Sequence, residues 1–305
     1  MTALWLALAG LAAAGAAAPV ISEMRRRPVD AARRKAAPGR FAKLSQGLTH
    51  YRWVGPPEGP VAVCVHGLTT PSFVWDGVAQ ALVAHGYRVL VYDLYGRGYS
   101  ARPTGAQTPE FFTTQLRDLL DHLGVQRDVT LLGYSMGGVI GAAFADSHGA
   151  RLRRLILLAP AGLGHAPDAL TRWAMDWRGI GDWAFHLGFP RAFRRAVAAE
   201  RGLPSSVPDI CDQQLAQLET RGYVRAVLSS LRGCLRRPIP DIHRRLAQSG
   251  LPVVAIWGQD DKVIPLDAMD RLAQLNPQAR QEVIAGAGHG LPYTHTDAVA
   301  HVLPG

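Results

Sequence analysis

The stretch Gly133-Tyr134-Ser135-Met136-Gly137 decides how the rest of the chain is interpreted. An apolar run, Val129–Leu132, precedes it, and a run of small and apolar residues, Gly138–Phe144, follows it, which predicts a strand, a sharp turn and a helix. The two glycines allow such a turn to pass close to the strand and the helix, and Ser135 is expected to adopt a strained backbone conformation. Its hydroxyl would then lie at a helix N-terminus, where the helix dipole favours negative charge. Ser135 is therefore the candidate nucleophile.

A serine hydroxyl becomes an effective nucleophile only when a base accepts its proton and an acid orients that base. His289 is the candidate base because it lies in a glycine-rich loop, Gly286–Gly290, directly after the last predicted strand. His295 is a weaker candidate because it falls inside the predicted last helix. The candidate acid is Asp261, which follows the preceding predicted strand, and its neighbour Asp260 is the alternative.

The loop after the predicted strand at residues 61–65 offers the remaining part of such a site. The backbone N–H of Leu68 and that of Met136, the residue after the nucleophile, can form an oxyanion hole. His66 could be mistaken for the base, but it is expected to shape this loop. The residues predicted to border the substrate are His66, Gly67, Tyr134, Trp173 and Trp177.

Short apolar strands alternate with helices along most of the chain, which predicts a mainly parallel sheet covered on both faces. About ninety residues after Pro160 contain no convincing buried strand but several helical runs with clustered tryptophans, which predicts a helical cap. The predicted organisation is an N-terminal hydrophobic segment (1–22), a basic linker (23–39), an α/β core (40–160 and 251–305) and the cap (161–250).

Residues 1–22 carry no charged side chain, and Arg25-Arg26-Arg27 follows shortly after them. About twenty helical residues cover the roughly 30 Å hydrocarbon core of a bilayer. Because the positive charge follows the apolar run, the pattern predicts an uncleaved membrane anchor, arginines against anionic headgroups and a cytoplasmic catalytic domain. The alternatives are a cleaved signal, which would give a secreted or periplasmic protein, and a helix that lies on the membrane.

The net charge of +9 raises the question of nucleic-acid binding. However, the basic residues are scattered or adjoin the apolar segment, and no DNA- or RNA-recognition motif is present. Gly96–Ala101 has the spacing G-x-G-x-x-A, yet Arg102-Pro103 prevents a helix from starting there, so we predict a loop and no dinucleotide site. No metal-ligand spacing stands out. We expect neither a metal nor a cofactor.

Three features together resemble the α/β-hydrolase superfamily: the order serine, aspartate, histidine; His66-Gly67 with Trp75 downstream; and Asp93–Ser100, which fits D-x-x-G-x-G-x-S. The last stretch is similar to the branch of esterases, lipases and C–C hydrolases. The resemblance runs from about Arg40 to the C-terminus, apart from the cap. It implies an α/β-hydrolase fold with eight strands, mostly parallel, and a helical cap inserted after the sixth. The position of Ser135 disfavours dehalogenases and epoxide hydrolases, which carry aspartate there.

The expected function is that of a serine hydrolase that cleaves carboxylic esters through an acyl-enzyme on Ser135. The aromatic cap and the apolar N-terminus favour hydrophobic acyl esters or lipids, and the overall arrangement resembles membrane-anchored monoacylglycerol-lipase-like enzymes. A thioesterase or a C–C bond hydrolase would use the same three residues. A ligand-binding protein without catalysis is the alternative from another class.

Overall fold

The computed structural model describes residues 2–164 and 167–303. Met1, His165, Ala166, Pro304 and Gly305, which fall in the predicted N-terminal, cap and C-terminal segments, lie outside the described residues. The strands, in chain order, are β1 (Arg40–Leu44), β2 (Gly47–Val54), β3 (Val61–Val65), β4 (Arg88–Tyr92), β5 (Val129–Tyr134), β6 (Leu152–Leu158), β7 (Val253–Gly258) and β8 (Arg280–Ile284).

These strands form an eight-stranded sheet in the order β1-β2-β4-β3-β5-β6-β7-β8. β2 pairs antiparallel with both β1 and β4, and the other neighbouring pairs from β4 to β8 are parallel. The predicted α/β fold with a mostly parallel eight-stranded sheet flanked by helices is therefore confirmed. Because β3, β5 and β6 lie side by side in the middle, their carboxyl ends meet at one edge of the sheet.

The helices, in chain order, are α1 (Thr2–Arg25), α2 (Ala31–Lys35), α3 (Asp76–Ala84), α4 (Pro109–His122), α5 (Met136–His148), α6 (Ala169–Asp176), α7 (Ile180–Glu200), α8 (Ile210–Gln217), α9 (Tyr223–Arg232), α10 (Pro240–Ser249), α11 (Asp267–Leu275), α12 (Leu291–Thr294) and α13 (Thr296–Val302). The last helix, predicted at roughly residues 293–302, is in fact two helices, α12 and α13. The helix is interrupted at His295, whose φ of −130° is not helical.

Alternate side chains of β3 show how the sheet is buried on both faces. Val63 and Val65 belong to the apolar cluster that includes residues of α4, α5 and α11. Ala62 and Cys64 belong to the cluster on the other face, with residues of α3, α12 and α13. A strand that is covered on both sides needs apolar residues at every position, which explains the unbroken sequence VAVCV.

Helices α6–α10 lie between β6 and β7, and we call them the helical insert. The insert has a small apolar core of its own, to which Phe185 of α7 and Tyr223, Val227 and Leu231 of α9 contribute. Seven of the ten residues of α9 are buried and Arg225 alone is exposed, so this helix is covered on nearly all sides.

The N-terminal helix α1 passes through the predicted boundary at residue 22 and ends at Arg25. Over the part of the chain that the structure describes, no helix has both the length and the apolar character that crossing a bilayer requires. The membrane-spanning anchor predicted for residues 1–22 is therefore not supported. Instead, the helix packs on the insert: Trp183 Nε1 donates to the Gly15 carbonyl at 2.8 Å, and Arg27 N to the Glu219 carbonyl at 2.8 Å.

Candidate active site

Ser135 lies in the sharp turn between β5 and α5. Its φ of 54° and ψ of −116° are strained for a residue with a side chain. The turn is held from both sides, because Ser135 N donates to the Leu158 carbonyl at 2.9 Å and the Ser135 carbonyl accepts from Ala161 N at 3.0 Å. This conformation places the Ser135 side chain at the N-terminus of α5.

The two glycines that flank Ser135 are required by close contacts. A Cβ atom at Gly133 would lie 2.3 Å from the Gly137 carbonyl oxygen, and one at Gly137 would lie 2.1 Å from the Val65 carbonyl oxygen. Both distances are far below van der Waals contact, and both obstacles are backbone atoms. A side chain at Gly137 would push the turn away from β3, and one at Gly133 would push β5 away from the start of α5.

The structure brings together the three side chains that the sequence singled out. His289 Nε2 lies 3.0 Å from Ser135 Oγ, and His289 Nδ1 lies 2.8 Å from Asp261 Oδ2. The His289 loop is fixed by Tyr134, whose hydroxyl donates to the His289 carbonyl at 2.8 Å. Imidazole is thus aligned between an alcohol and a carboxylate, the geometry of a serine nucleophile with its base and orienting acid.

Asp261 is buried and held by the loop that carries it. Its Oδ1 accepts hydrogen bonds from Val263 N at 2.7 Å and Ile264 N at 2.8 Å, which leaves Oδ2 for His289. The neighbouring Asp260 side chain is exposed, and its backbone N–H donates to the Ala287 carbonyl. Of the two aspartates, Asp261 alone contacts the imidazole.

The loop after β3 lies against the nucleophile. A Cβ atom at Gly67 would be only 3.3 Å from Ser135 Cβ, so the loop backbone passes directly beside the serine. Among the described residues, neither Leu68 N–H nor Met136 N–H donates to an acceptor of the protein. Two amides without partners beside the nucleophile are the arrangement that an oxyanion hole requires.

His66 differs from its predicted place beside the substrate. It is fully buried, and its Nε2 accepts from Leu94 N at 2.9 Å, while its Nδ1 donates to the Gly67 carbonyl at 2.8 Å. Burial lowers the pKa of His66 to about 4, so the imidazole is neutral at pH 7. Because the Gly67 carbonyl and the Leu68 N–H belong to one trans peptide unit, His66 fixes the direction of that N–H. Its role is to shape the loop.

Arg97 is a positioning residue that sequence reasoning missed. Its guanidinium is fully buried and donates to the Leu68 carbonyl at 3.0 Å and to Ser230 Oγ of α9 at 2.9 Å. It therefore joins the loop beside Ser135 to the helical insert. The stretch Gly96–Ala101 forms a loop, as predicted, and no local sequence pattern indicated this role for its arginine.

A cavity of about 850 Å³ lies over Ser135 and His289, between the sheet edge and the insert. This volume is within the usual range for small-molecule sites. Gly67 and Tyr134 line it, as predicted. Much of its apolar wall comes from the insert, through Met175, Phe193, Val197, Leu231 and Leu235.

Trp173 and Trp177, predicted to contact the substrate, do not line this cavity. Trp173 of α6 is 38% exposed, and Trp177, which follows the end of α6 with an extended backbone, is 57% exposed. Arg172, Met175 and Asp176 of the same helix line the cavity instead. The sequence located the right segment but not the side chains that line the cavity.

A polar part of the cavity lining was also not predicted. Tyr293 of α12 donates to Glu200 Oε2 at 2.7 Å, and Gln214 Nε2 donates to Thr70 Oγ1 at 3.1 Å. All four side chains line the cavity. They come from four separated stretches of sequence, so no local pattern could have indicated that they meet.

Comparison with known proteins places this geometry in a family. The α/β hydrolase fold family matches residues 60–296. The non-heme chloroperoxidase CPO-A1 of Kitasatospora aureofaciens is 28% identical over 248 residues, which is 77% of this chain and 86% of the relative. A 2-hydroxy-6-oxononadienedioate/2-hydroxy-6-oxononatrienedioate hydrolase of Cupriavidus pinatubonensis is 28% identical over 275 residues, 87% of this chain and 93% of the relative.

A solved structure agrees with the fold. The thermophilic esterase of Thermogutta terrifontis superposes with a TM-score of 0.70 at 24% identity, over 87% of this chain and 97% of the esterase. At this identity the likeness shows the architecture alone. The family match, however, extends from the start of β3 to the start of α13 and includes Ser135, Asp261 and His289. The chain belongs to the α/β hydrolase fold family.

Proposed function

We propose that this protein is a serine hydrolase that cleaves carboxylic esters, with a preference for hydrophobic acyl groups. The observation that carries the proposal is the alignment of Ser135 Oγ, His289 and Asp261 at 3.0 and 2.8 Å on the floor of a largely apolar cavity. The relatives in the family include hydrolases, which supports an enzyme over a binding protein.

In the proposed reaction, His289 Nε2 accepts the proton of Ser135 as Oγ attacks the ester carbonyl carbon. The negative charge on the carbonyl oxygen is stabilised by the N–H groups of Leu68 and Met136, and each such donor is worth about 2.7–4 kcal/mol. His289 then returns the proton to the alkoxide that leaves, which gives an acyl-enzyme and a free alcohol. A water molecule, deprotonated by His289, attacks the acyl-enzyme and releases the acid.

Asp261 keeps His289 in the tautomer that this reaction needs. Its Oδ2 accepts from Nδ1–H, so Nε2 carries the lone pair that faces Ser135. The imidazolium that forms during attack is stabilised by the same carboxylate. The two backbone amides on Oδ1 prevent the carboxylate from turning away.

The apolar wall supports hydrophobic acyl groups as substrates. Phe193, Val197 and Leu231 of the insert form a surface that an alkyl chain can cover, and burial of apolar surface contributes about 25 cal/mol per Å². The catalytic triad of Ser135, His289 and Asp261 does not by itself distinguish an oxygen ester from a thioester, because the same nucleophile attacks the carbonyl carbon of both.

Cleavage of a C–C bond next to a carbonyl is the second candidate. It is favoured by the Cupriavidus relative and by the cations of the cavity lining, which suit a carboxylate on the substrate. These cations are Arg172, Arg237 and Lys262, together with Arg236, which pairs with Asp176. A carboxylate-bearing substrate would need at least one of them, whereas a neutral ester would not.

The test is a fluorophosphonate probe followed by rates on a set of substrates. We expect the probe to label the wild-type protein and not Ser135→Ala, and p-nitrophenyl esters to react faster as the acyl chain lengthens. Faster turnover of a 2-hydroxy-6-oxo dienoic acid than of any ester would support C–C hydrolysis instead. Absence of labelling in folded wild-type protein would leave only the ligand-binding alternative.

A further inference from the structure

The exposed large apolar side chains are concentrated in two stretches. On α1 they are Leu4, Trp5, Leu6, Val20, Ile21 and Met24. On the insert they are Leu170, Trp173, Trp177, Ile180 and Trp183. Elsewhere in the described residues only Leu203, Val263 and Val283 are comparably exposed. We call the side chains of the two stretches the apolar patch. A concentration of this kind on a folded surface marks an interaction site.

The two halves of the apolar patch are neighbours in space. Trp183 of α7 donates its indole N–H to the Gly15 carbonyl of α1 at 2.8 Å. The end of α1 is tied to the insert as well, since Arg221 donates to the Met24 carbonyl at 2.6 Å. The second half of α1, which carries Val20, Ile21 and Met24, therefore lies beside the exposed apolar residues of the insert.

The charges around the apolar patch are mainly positive. Two acidic neighbours are neutralised, because Asp176 pairs with Arg236 at 2.8 Å and Asp182 with Arg232 at 2.7 Å. A third, Asp168, caps the start of α6 and forms no ion pair within the described residues. Three other arginines in or beside these stretches are exposed and form no ion pair within the described residues, namely Arg25, Arg27 and Arg178. The apolar patch and the unpaired arginines beside it are complementary to a surface whose outermost groups are negatively charged and whose interior is apolar.

Tryptophan suits the same environment. Its ring is apolar while its N–H is polar, so it settles where hydrocarbon meets hydrated headgroups. Trp5 and Trp177 are more than half exposed, at 67% and 57%. A second copy of this chain would bring the same arginines against one another in a symmetric contact, which costs electrostatic energy.

We infer that the apolar patch docks on the surface of an anionic lipid bilayer, with α1 and the insert lying in the plane of the interface. This mode needs no helix to cross the bilayer. Trp173 and Trp177 are exposed, whereas Arg172 and Met175 of the same segment line the cavity, so docking places the cavity beside the lipid. The inference does not depend on the reaction at Ser135.

Flotation of the full-length protein with lipid vesicles tests the inference. One set of vesicles is pure phosphatidylcholine, and in the other about a third of the lipid is phosphatidylglycerol. We expect the wild-type protein to bind the anionic vesicles more tightly and to be released by added salt. We expect Trp173→Ala/Trp177→Ala to bind both kinds at least about tenfold more weakly. Arg178→Gln should weaken binding to the anionic vesicles alone, by about fivefold.

Val283→Ala is the matched control, because it shortens an exposed apolar side chain on β8, outside the patch. Thermal unfolding of each variant shows that lost binding is not lost folding. Binding of the double tryptophan variant equal to that of the wild type would overturn the inference, and so would a wild type that stays unbound. A wild-type dimer that the tryptophan variant abolishes, with no vesicle binding, would assign the patch to a second copy.

Discussion

The α/β core and the helical insert meet at one cavity but are built by different physical rules. In the core, Ser135, Asp261 and the loop of Leu68 are buried, and each is fixed by backbone hydrogen bonds or backbone contacts. In the insert, helices of 8 to 21 residues pack on a small core of their own and leave Trp173, Trp183 and Arg178 exposed around it.

This difference indicates that the core carries out the reaction and that the insert selects the substrate. Catalysis by transition-state stabilisation needs atoms held within a few tenths of an ångström, which a buried strand and its turn can provide. Choice of substrate needs an apolar wall of suitable shape, which helices can provide without touching the reacting atoms. We expect changes in the core to abolish the reaction and changes in the insert to redirect it.

The largest effect is expected for Ser135→Ala. Loss of the nucleophile should lower kcat for p-nitrophenyl butyrate by roughly 10⁴- to 10⁶-fold, with the protein still folded. The change removes one oxygen atom and relieves no contact of the sheet. Steady-state rates together with thermal unfolding check it. A decrease of less than tenfold would show that Ser135 is not the nucleophile.

Asp261→Asn is expected to lower kcat by about 10⁴-fold. An asparagine side chain has one oxygen that accepts and one NH₂ group that donates. Whichever way it is turned, its NH₂ group faces a donor, either His289 Nδ1–H or the two backbone amides that bind Oδ1. Asp260→Asn is the matched control, since that side chain is exposed beside the same turn. The assignment would be reversed if the Asp260 variant were the inactive one.

His243 of α10, a helix that packs on the core helices α5 and α11, makes the stability depend on pH. It is 1% exposed, neither ring nitrogen has a hydrogen-bond partner among the described residues, and burial lowers its pKa from 6.5 to about 4. The unfolded chain therefore binds a proton at a higher pH than the folded one. Its contribution is full above pH 6.5 and is lost as the pH falls towards 4, at a cost of up to roughly 3 kcal/mol.

His243→Leu should remove this acid-dependent loss of stability. Denaturant unfolding at neutral pH and near pH 4 measures it, and the difference between the two should shrink in the variant. His301→Gln, a change at an exposed histidine of α13, should leave the difference as it is in the wild type. An unchanged difference in the His243 variant would mean that this imidazole is charged or solvated in the folded protein.

The smallest effect is expected in the insert, for Phe193→Ala. Phe193 lines the cavity, so its loss should raise KM for long-chain esters by about tenfold and leave acetate esters nearly unchanged. Phe189→Ala is the matched control, because Phe189 stacks on Phe193 at 5.5 Å between ring centroids but does not line the cavity. Equal losses for short and long esters would show that the insert takes part in the chemistry.

The sheet and the triad could be predicted because local sequence determines them. A strand that is buried on both faces must be apolar throughout, as in β3 and β5, and a turn as tight as that at Ser135 needs Gly133 and Gly137. The order of strands places their carboxyl ends together, so loops that follow strands meet at one edge.

The remaining features depend on tertiary contacts. The side of α6 that faces the cavity could not be read from Trp173 and Trp177, because burial against the insert's own core decides it. Arg97 acquires its role only when α9 packs over it. The apolar composition of residues 1–22 indicated a helix, but its packing against α7 depends on a partner far along the chain.

The most direct test of the account is the intact mass of the protein when an ester reaction is quenched within the first turnover. The account predicts an added mass equal to one acyl group, located on Ser135 by peptide mapping, together with a burst of released alcohol. The adduct should be absent from Ser135→Ala. Turnover of the ester with no covalent adduct, or with the acyl group on another residue, would contradict it.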